Sequence, residues 1–183
     1  MGAVRRKHIR EVVSGVLAAR GVASAPVDVE AIVTARGILI CREPAADDLC
    51  GFLIRDKHRK RTIIGVNANH HRNRQRFTIA HEFAHYILHD SQPFHIDKIN
   101  VGFIRRNRDS KSSEGTDVEE KEANLFAAEL LMPKQFIDSD MLNLGDAEAA
   151  DEETVVTNLA KRYDVSSQAF AFRLAYLGYM QVD

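Results

Sequence analysis

The chain has few cysteines, and Cys41 and Cys50 are the only two among its 183 residues. Their spacing is not the CxxC pair of a structural zinc site, so we assign them no metal. Both lie in segments that we expect to form neighbouring strands, where they could approach each other. In a cytoplasmic protein, however, buried free thiols are the expected state.

The sequence also lacks net charge and long apolar segments. Its formal net charge is −1 at pH 7, so its overall field attracts neither nucleic acid nor an anionic membrane. No apolar run approaches the roughly 20 residues that cross a bilayer. Charges interrupt residues 1–20, which predicts no signal peptide, and Arg6 stands where myristoylation needs Ser or Thr. With 45% apolar and 28% charged residues, one soluble domain is expected.

What the sequence does contain is the run His81-Glu82-Phe83-Ala84-His85. Histidines four residues apart on a helix lie on one face, so both imidazoles can bind one zinc ion while Glu82 faces a water at the metal. With this His and Glu content, a HExxH run arises by chance with a probability of roughly two per cent. The alternative is a surface helix that happens to carry histidines.

The residues around this motif argue for a buried helix. Its apolar side chains cover one broad arc, and the two histidines lie beside that arc. The members of the arc are Phe77, Ile79, Ala80, Phe83, Ala84, Ile87 and Leu88. Because a buried imidazole needs a polar partner, a metal ion that binds both histidines accounts for the pattern.

A second apolar helix is predicted over residues 118–133, VEEKEANLFAAELLMP. A catalytic zinc site takes a third protein ligand and leaves one position open for water. The helical period places Glu122 and Glu129 away from the apolar stripe, whereas Glu119 and Glu120 border it on opposite sides. Periodicity alone leaves the choice between Glu119 and Glu120 open.

The run RFTIAHEFAHYILH followed by EKEANLFAAELLMP resembles the ImmA/IrrE family of zinc metallopeptidases, whose core is similar to that of thermolysin-like gluzincins. The resemblance extends from about Ile38 to Met132 and continues more weakly to the chain end. In that family the third zinc ligand is the glutamate of an ExxxN or ExxxD pattern. The resemblance therefore implies Glu120 as the ligand, with Asn124 on the same helix face.

The metzincin class is the alternative for a HExxH zinc site. Its HExxHxxGxxH pattern needs a third histidine soon after His85. Asp90 and Ser91 occupy that stretch, so a glutamate ligand is preferred.

The expected chemistry is hydrolysis of a peptide bond. Zinc lowers the pKa of a bound water from about 15.7 toward ~7, and Glu82 would take its proton and pass it to the leaving amine. Asn124 could fix the tautomer of a ligand histidine or could merely cap a buried polar strip. Candidates for oxyanion stabilisation are Tyr86, His70, His71 and His89, although a structural or solvated role is the simpler interpretation of each.

The patterns predict a single α+β domain over residues 1–183. A small, mostly antiparallel sheet packs on an active-site helix and a second metal-binding helix, as in zincins. The third strand is expected to form an edge along which an extended substrate could align, and the basic turn before it is solvated. Early helices are predicted at residues 4–19 and 26–36, and strands at 38–43, 49–56 and 61–67.

The catalytic core is expected over about residues 38–132, with the active-site helix starting near His71. Residues 89–117 lack a helical period. Within them IDKINVGFIRR could add a strand, and RDSKSSEGTD could be a mobile connection or a lid. A short helix is predicted after Pro133. About residues 152–180 form a helix-turn-helix-like pair, whose apolar second helix suits core or partner contacts rather than a DNA groove.

These expectations favour a zinc-dependent endopeptidase that cleaves a specific intracellular protein. The resemblance implies a helix-turn-helix repressor or an antitoxin-like regulator as its substrate. The alternative is a regulatory binding module that keeps the zinc fold and relieves repression by docking a partner, with little or no proteolysis. An intact Glu82 favours the enzyme, because a pure binding module does not need it. We expect a cytoplasmic location and no direct contact with nucleic acid or membrane.

Overall fold

The computed structural model describes residues 3–56, 58–89, 94–98, 112–144 and 151–181. Within these ranges it contains seven helices and one four-stranded sheet, which confirms the α+β class. The helices are α1 (Arg6–Ala18), α2 (Val29–Thr34), α3 (Arg72–Leu88), α4 (Ser112–Leu131), α5 (Lys134–Leu142), α6 (Glu152–Tyr163) and α7 (Ser167–Leu177). The strands are β1 (Ile38–Glu43), β2 (Leu49–Asp56), β3 (Arg61–Asn67) and β4 (Phe94–Lys98).

The sheet has the strand order β1-β3-β2-β4 and is mixed. β2 and β3 form the predicted antiparallel pair, β2 also pairs antiparallel with β4, and β1 pairs parallel with β3. The prediction that β3 is an edge strand is wrong, because β1 occupies its free side. Cys41 on β1 and Cys50 on β2 are free thiols, but β3 separates their strands.

Helix α3 lies against β2, β3 and β4 and packs on α4 along its other side. Apolar residues explain the contact with α4, since Phe83 and Phe126 are fully buried and their rings meet edge to face at 5.9 Å. Gly51 lets β2 approach α3 closely. A Cβ at this position would lie 2.5 Å from the Gly65 carbonyl oxygen and 2.5 Å from the Thr78 methyl group.

Helix α4 is covered on a second side by α1 and by a side chain of α7. Glu122 and Glu129 were predicted to point away from the apolar stripe, yet they are only 2% and 5% exposed. Arg5, which precedes α1, binds Glu122, while Arg10 of α1 and Arg173 of α7 bind Glu129. Periodicity identified the polar side of α4 but could not show that arginines from distant segments cover it.

The C-terminal pair turns where the sequence predicts. Asp164 ends α6 with φ 56° and accepts hydrogen bonds from Arg72 and Arg76 at the start of α3. Helix α7 buries Phe170 and leaves Phe172 57% exposed. The apolar surface around Phe170 therefore belongs to the core. A binding partner for the surface around Phe172 stays a prediction.

The connection between the two long helices differs from expectation at both ends. β4 begins at Phe94, two residues before the predicted strand, and α4 already begins at Ser112. The last residues of RDSKSSEGTD are thus helical. Residues 108–111, the first part of the predicted lid, and residues 99–106, the end of IDKINVGFIRR, lie outside the described ranges. None of the helices in the described ranges combines the length and apolar character needed to cross a bilayer.

Candidate metal centre

Helix α3 directs His81 and His85 to the same point, as their spacing predicts. Their Nε2 atoms are 3.1 Å apart, and both side chains are 3% exposed. Glu120 reaches this point from α4, with Oε2 at 3.2 Å from His81 Nε2 and Oε1 at 3.3 Å from His85 Nε2. The structure therefore brings the three predicted ligands together, and they could hold a metal ion.

The imidazole and carboxylate atoms of the three residues lie as close together as the ligand atoms of one metal ion. Bonds of about 2.0 Å to nitrogen and oxygen place tetrahedral ligand atoms about 3.3 Å apart. The two Nε2 atoms are 3.1 Å apart, and each lies 3.2 or 3.3 Å from a different oxygen of Glu120, so the contacts are of this size. Two imidazoles and one carboxylate are also a donor set that zinc accepts in catalytic sites.

The contacts of the two Nδ1 atoms also support metal binding by these residues. His81 Nδ1 lies 3.1 Å from Asn124 Oδ1, an acceptor, so His81 carries its hydrogen on Nδ1 and donates it there. His85 Nδ1 lies 3.2 Å from His89 Nδ1. His81 Nε2 therefore presents a lone pair toward His85 Nε2 and Glu120. A lone pair that faces a carboxylate is favourable when a cation such as a metal ion lies between them.

Glu82 lies beside this cluster and is fully buried. Its Oε2 contacts His95 Nδ1 at 3.1 Å, whereas its buried Oε1 has no hydrogen-bond partner among the residues that the structure describes. A buried carboxylate oxygen without a partner is costly unless a ligand or water completes it. Glu82 Oε1 could therefore accept a hydrogen bond from a bound ligand or water.

His95 is the main site residue that sequence reasoning missed. It lies on β4, with Nδ1 toward Glu82 and Nε2 2.9 Å from Glu120 Oε1, and its ring stacks on His85 at 3.7 Å. Asp97, two residues further on the same strand face, could form a second metal-holding group with His81 and Glu82. The alternation of Phe94, His95, Ile96 and Asp97 gave the available signal, since it places both polar side chains on one face of a strand.

Burial and neighbouring charges set the protonation of the site. Burial raises the pKa of Glu82 and lowers that of His85 to about 4. Burial alone would lower the pKa of His95, but its hydrogen bonds with Glu120 and Glu82 raise it to about 10. Burial alone would raise the pKa of Glu120, but its close contacts with the three histidines hold it far below its usual range.

The residues considered for oxyanion stabilisation have other contacts. His71 caps α3 by accepting a hydrogen bond from the Asn73 amide, and His70 Nε2 lies 3.2 Å from the Asp47 carbonyl oxygen. Tyr86 stacks on Phe83. These contacts agree with structural roles. His89 differs, because it touches the candidate ligand His85 and, through Nε2, Glu122 Oε2 at 3.1 Å.

Comparisons with known proteins agree with the motif analysis. A family model described as the IrrE N-terminal-like domain (Peptidase_M78) matches residues 33–175. A solved structure of a Mycobacterium tuberculosis transcriptional regulator has a similar fold, with a TM-score of 0.59 at 14% identity. The alignment covers 92% of this chain and 46% of that one, so the chain spans less than half the length of the regulator. No curated protein matches the sequence.

Proposed function

This chain belongs to the family of IrrE N-terminal-like domains (Peptidase_M78), and we propose that it is a zinc-dependent endopeptidase. One observation carries the proposal: His81, His85 and Glu120 converge within metal-binding distance of one another beside a buried Glu82, one oxygen of which has no hydrogen-bond partner among the described residues. This arrangement supports a hydrolytic centre, in which zinc would take three protein ligands and one water.

Each residue then has a defined task. A zinc ion held by His81, His85 and Glu120 would supply Lewis acidity and make water nucleophilic near neutral pH. Glu82 accepts the water proton at Oε1 and passes it to the leaving amine. His95 Nδ1 contacts Glu82 Oε2, which leaves Oε1 as the oxygen that a water could reach.

The proposed substrate is a specific intracellular protein, a helix-turn-helix repressor or an antitoxin-like regulator. Support comes from the resemblance of both motifs to the ImmA/IrrE family. The fold similarity to a transcriptional regulator is consistent with a regulatory setting for the domain. Cleavage of such a regulator would relieve repression irreversibly.

A second candidate function is a regulatory docking module with little or no turnover. His95 favours it, because this side chain contacts both the proposed base Glu82 and the proposed ligand Glu120. If His95 stays in place when a partner binds, β4 restricts access to the centre. The domain would then act through its surface.

The proposed base provides the test between these functions. Glu82→Gln keeps the size of the side chain and removes its ability to accept the proton, so hydrolysis should fall by a factor of about 10² to 10⁴. The fold and the metal content should be unchanged. The measurement is a gel and mass-spectrometric assay with the product of the neighbouring gene as the candidate substrate, together with a reporter of repression in cells.

Loss of cleavage together with loss of derepression in the variant supports the peptidase. Full derepression by Glu82→Gln would show that catalysis is dispensable and would establish the docking function instead. Wild-type protein treated with a chelator is the control for metal dependence.

Variants of two adjacent glutamates test whether Glu120 is a zinc ligand. Glu120→Ala removes one of three zinc ligands and should strongly weaken zinc binding. Glu119→Ala changes the neighbouring residue, which lies outside the group formed by His81, His85 and Glu120. This variant should leave zinc binding nearly unchanged. Elemental analysis should give one zinc per wild-type chain, and competition with a chromophoric chelator gives the affinities. Equal affinities in the two variants would contradict the assignment.

A further inference from the structure

A continuous chain of hydrogen bonds leads from the candidate ligand His85 to the N-terminal segment. His85 Nδ1 lies 3.2 Å from His89 Nδ1, and His89 Nε2 lies 3.1 Å from Glu122 Oε2. Glu122 in turn accepts hydrogen bonds from the amide and the guanidinium of Arg5, at 2.5 to 3.1 Å. The His89 and Glu122 side chains are 5% and 2% exposed, so water does not readily replace either one.

The pair formed by Glu122 and Arg5 fixes which atoms donate and which accept along this series of hydrogen bonds. Glu122 is paired with Arg5, and a carboxylate can only accept, so His89 directs a hydrogen at it from Nε2. With its hydrogen on Nε2, His89 offers the Nδ1 lone pair to His85 at 3.2 Å. His85 donates to it from Nδ1, which leaves the Nε2 lone pair of His85 free toward the metal centre.

We infer that His89, Glu122 and Arg5 form a positioning relay that sets the tautomer and orientation of His85 for metal binding. The inference rests on the metal centre of the proposed function and assigns roles to residues outside it. Arg5 also contacts the Leu88 carbonyl oxygen at 3.5 Å, and Arg55 donates to the carbonyl oxygens of His85 and His89 at 2.6 and 2.8 Å. The backbone that carries the relay is therefore held as well.

The chain contains a matched control for this relay. Glu129 lies seven residues after Glu122 on α4, is also buried, and is also bound by arginines, namely Arg10 and Arg173. Its described hydrogen bonds and ion pairs join it to these two arginines and not to a histidine of the metal centre. Removal of either carboxylate leaves buried or half-buried arginine charge unpaired, so both changes should destabilise the fold. Only the change at Glu122 should weaken zinc binding.

The first measurement is zinc affinity by competition with a chromophoric chelator, on full-length protein verified as folded. Glu122→Ala and His89→Leu should each weaken zinc binding by about 10- to 100-fold, the usual effect of removing such an outer partner. Glu129→Ala should bind zinc as the wild type does. For variants that fold poorly, the half-exposed arginines give a milder pair: Arg5→Ala should weaken binding, and Arg10→Ala should not.

The second measurement does not need the metal. Long-range ¹H–¹⁵N spectra of the histidine rings in zinc-free protein should show His85 with its hydrogen on Nδ1 in the wild type and in Glu129→Ala. In Glu122→Ala and His89→Leu the two His85 tautomers should be mixed. Equal zinc affinities in Glu122→Ala and Glu129→Ala, or an unchanged His85 tautomer, would overturn the relay. Wild-type protein that binds no zinc but shows the fixed tautomer would instead contradict the proposed function alone.

Discussion

Glu82 and Glu120 are two carboxylates of one site whose surroundings assign them different tasks. Both oxygens of Glu120 face imidazole nitrogens at 2.9 to 3.3 Å, whereas one oxygen of Glu82 has no partner among the described residues. A carboxylate that shares its surroundings with the Nε2 atoms of two other candidate ligands suits a metal ligand. A buried carboxylate with a raised pKa suits proton transfer, and such a division between two acids is a recurrent way to assign roles in a site.

The two thiols should differ in reactivity. Cys50 is 6% exposed and burial raises its pKa, so little reactive thiolate is accessible there, whereas Cys41 is partly exposed. In a timed reaction of native protein with iodoacetamide, Cys41 should be alkylated well before Cys50. Peptide mass spectrometry gives both rates, and denatured protein, in which both should react together, is the control. Faster labelling of Cys50 in native protein would contradict its burial.

How much of the site follows from sequence depends on how local each contact is. His81, Glu82 and His85 share one helical turn, so their spacing alone predicted that they meet. Glu120 required the family resemblance, because periodicity fits Glu119 equally well. His95 was missed because it reaches the site through the pairing of β4 with β2, a contact that no local pattern encodes.

At the scale of elements, helix and strand bounds were predictable and their arrangement was only partly so. The helical period and the terminal residues located α3 to within one residue of its observed start. The sheet order was not predictable in the same way. Local turns favour the β2–β3 hairpin, but the parallel addition of β1 to β3 depends on packing of the whole sheet.

Two glycines with different surroundings test the packing of β2 on α3. In Gly51→Ala the new methyl group meets the Gly65 carbonyl oxygen and the Thr78 methyl group at 2.5 Å, and the carbonyl cannot shift without disturbing β3. We expect a loss of about 1–3 kcal/mol in the free energy of unfolding. Gly15→Ala, on an exposed face of α1 with nothing within 4 Å, should instead gain about 0.5–1 kcal/mol. Urea unfolding of zinc-free protein measures both, and a neutral Gly51→Ala would show that β2 and α3 pack less closely.

At the scale of the molecule, segments from both ends of the chain meet on α4. The family match begins at residue 33, so α1 lies outside it, yet Arg5 and Arg10 bind glutamates within the matched region. Arg173 of α7 joins Arg10 on Glu129. Helix α4 is therefore held by residues that precede and follow the predicted catalytic core.

Metal binding should stabilise the whole fold, because the candidate ligands join α3 to α4. A ligand that binds only the native state raises the free energy of unfolding by RT ln(1 + [L]/Kd), about 2.7 kcal/mol at a hundredfold excess over Kd. For a chain of this length that corresponds to a melting temperature higher by about 5–10 °C. Calorimetry of zinc-loaded and chelator-treated protein measures the difference, and Glu120→Ala, which should respond far less to zinc, is the control. An unchanged melt after verified zinc removal would mean that the three residues do not hold the ion across the two helices.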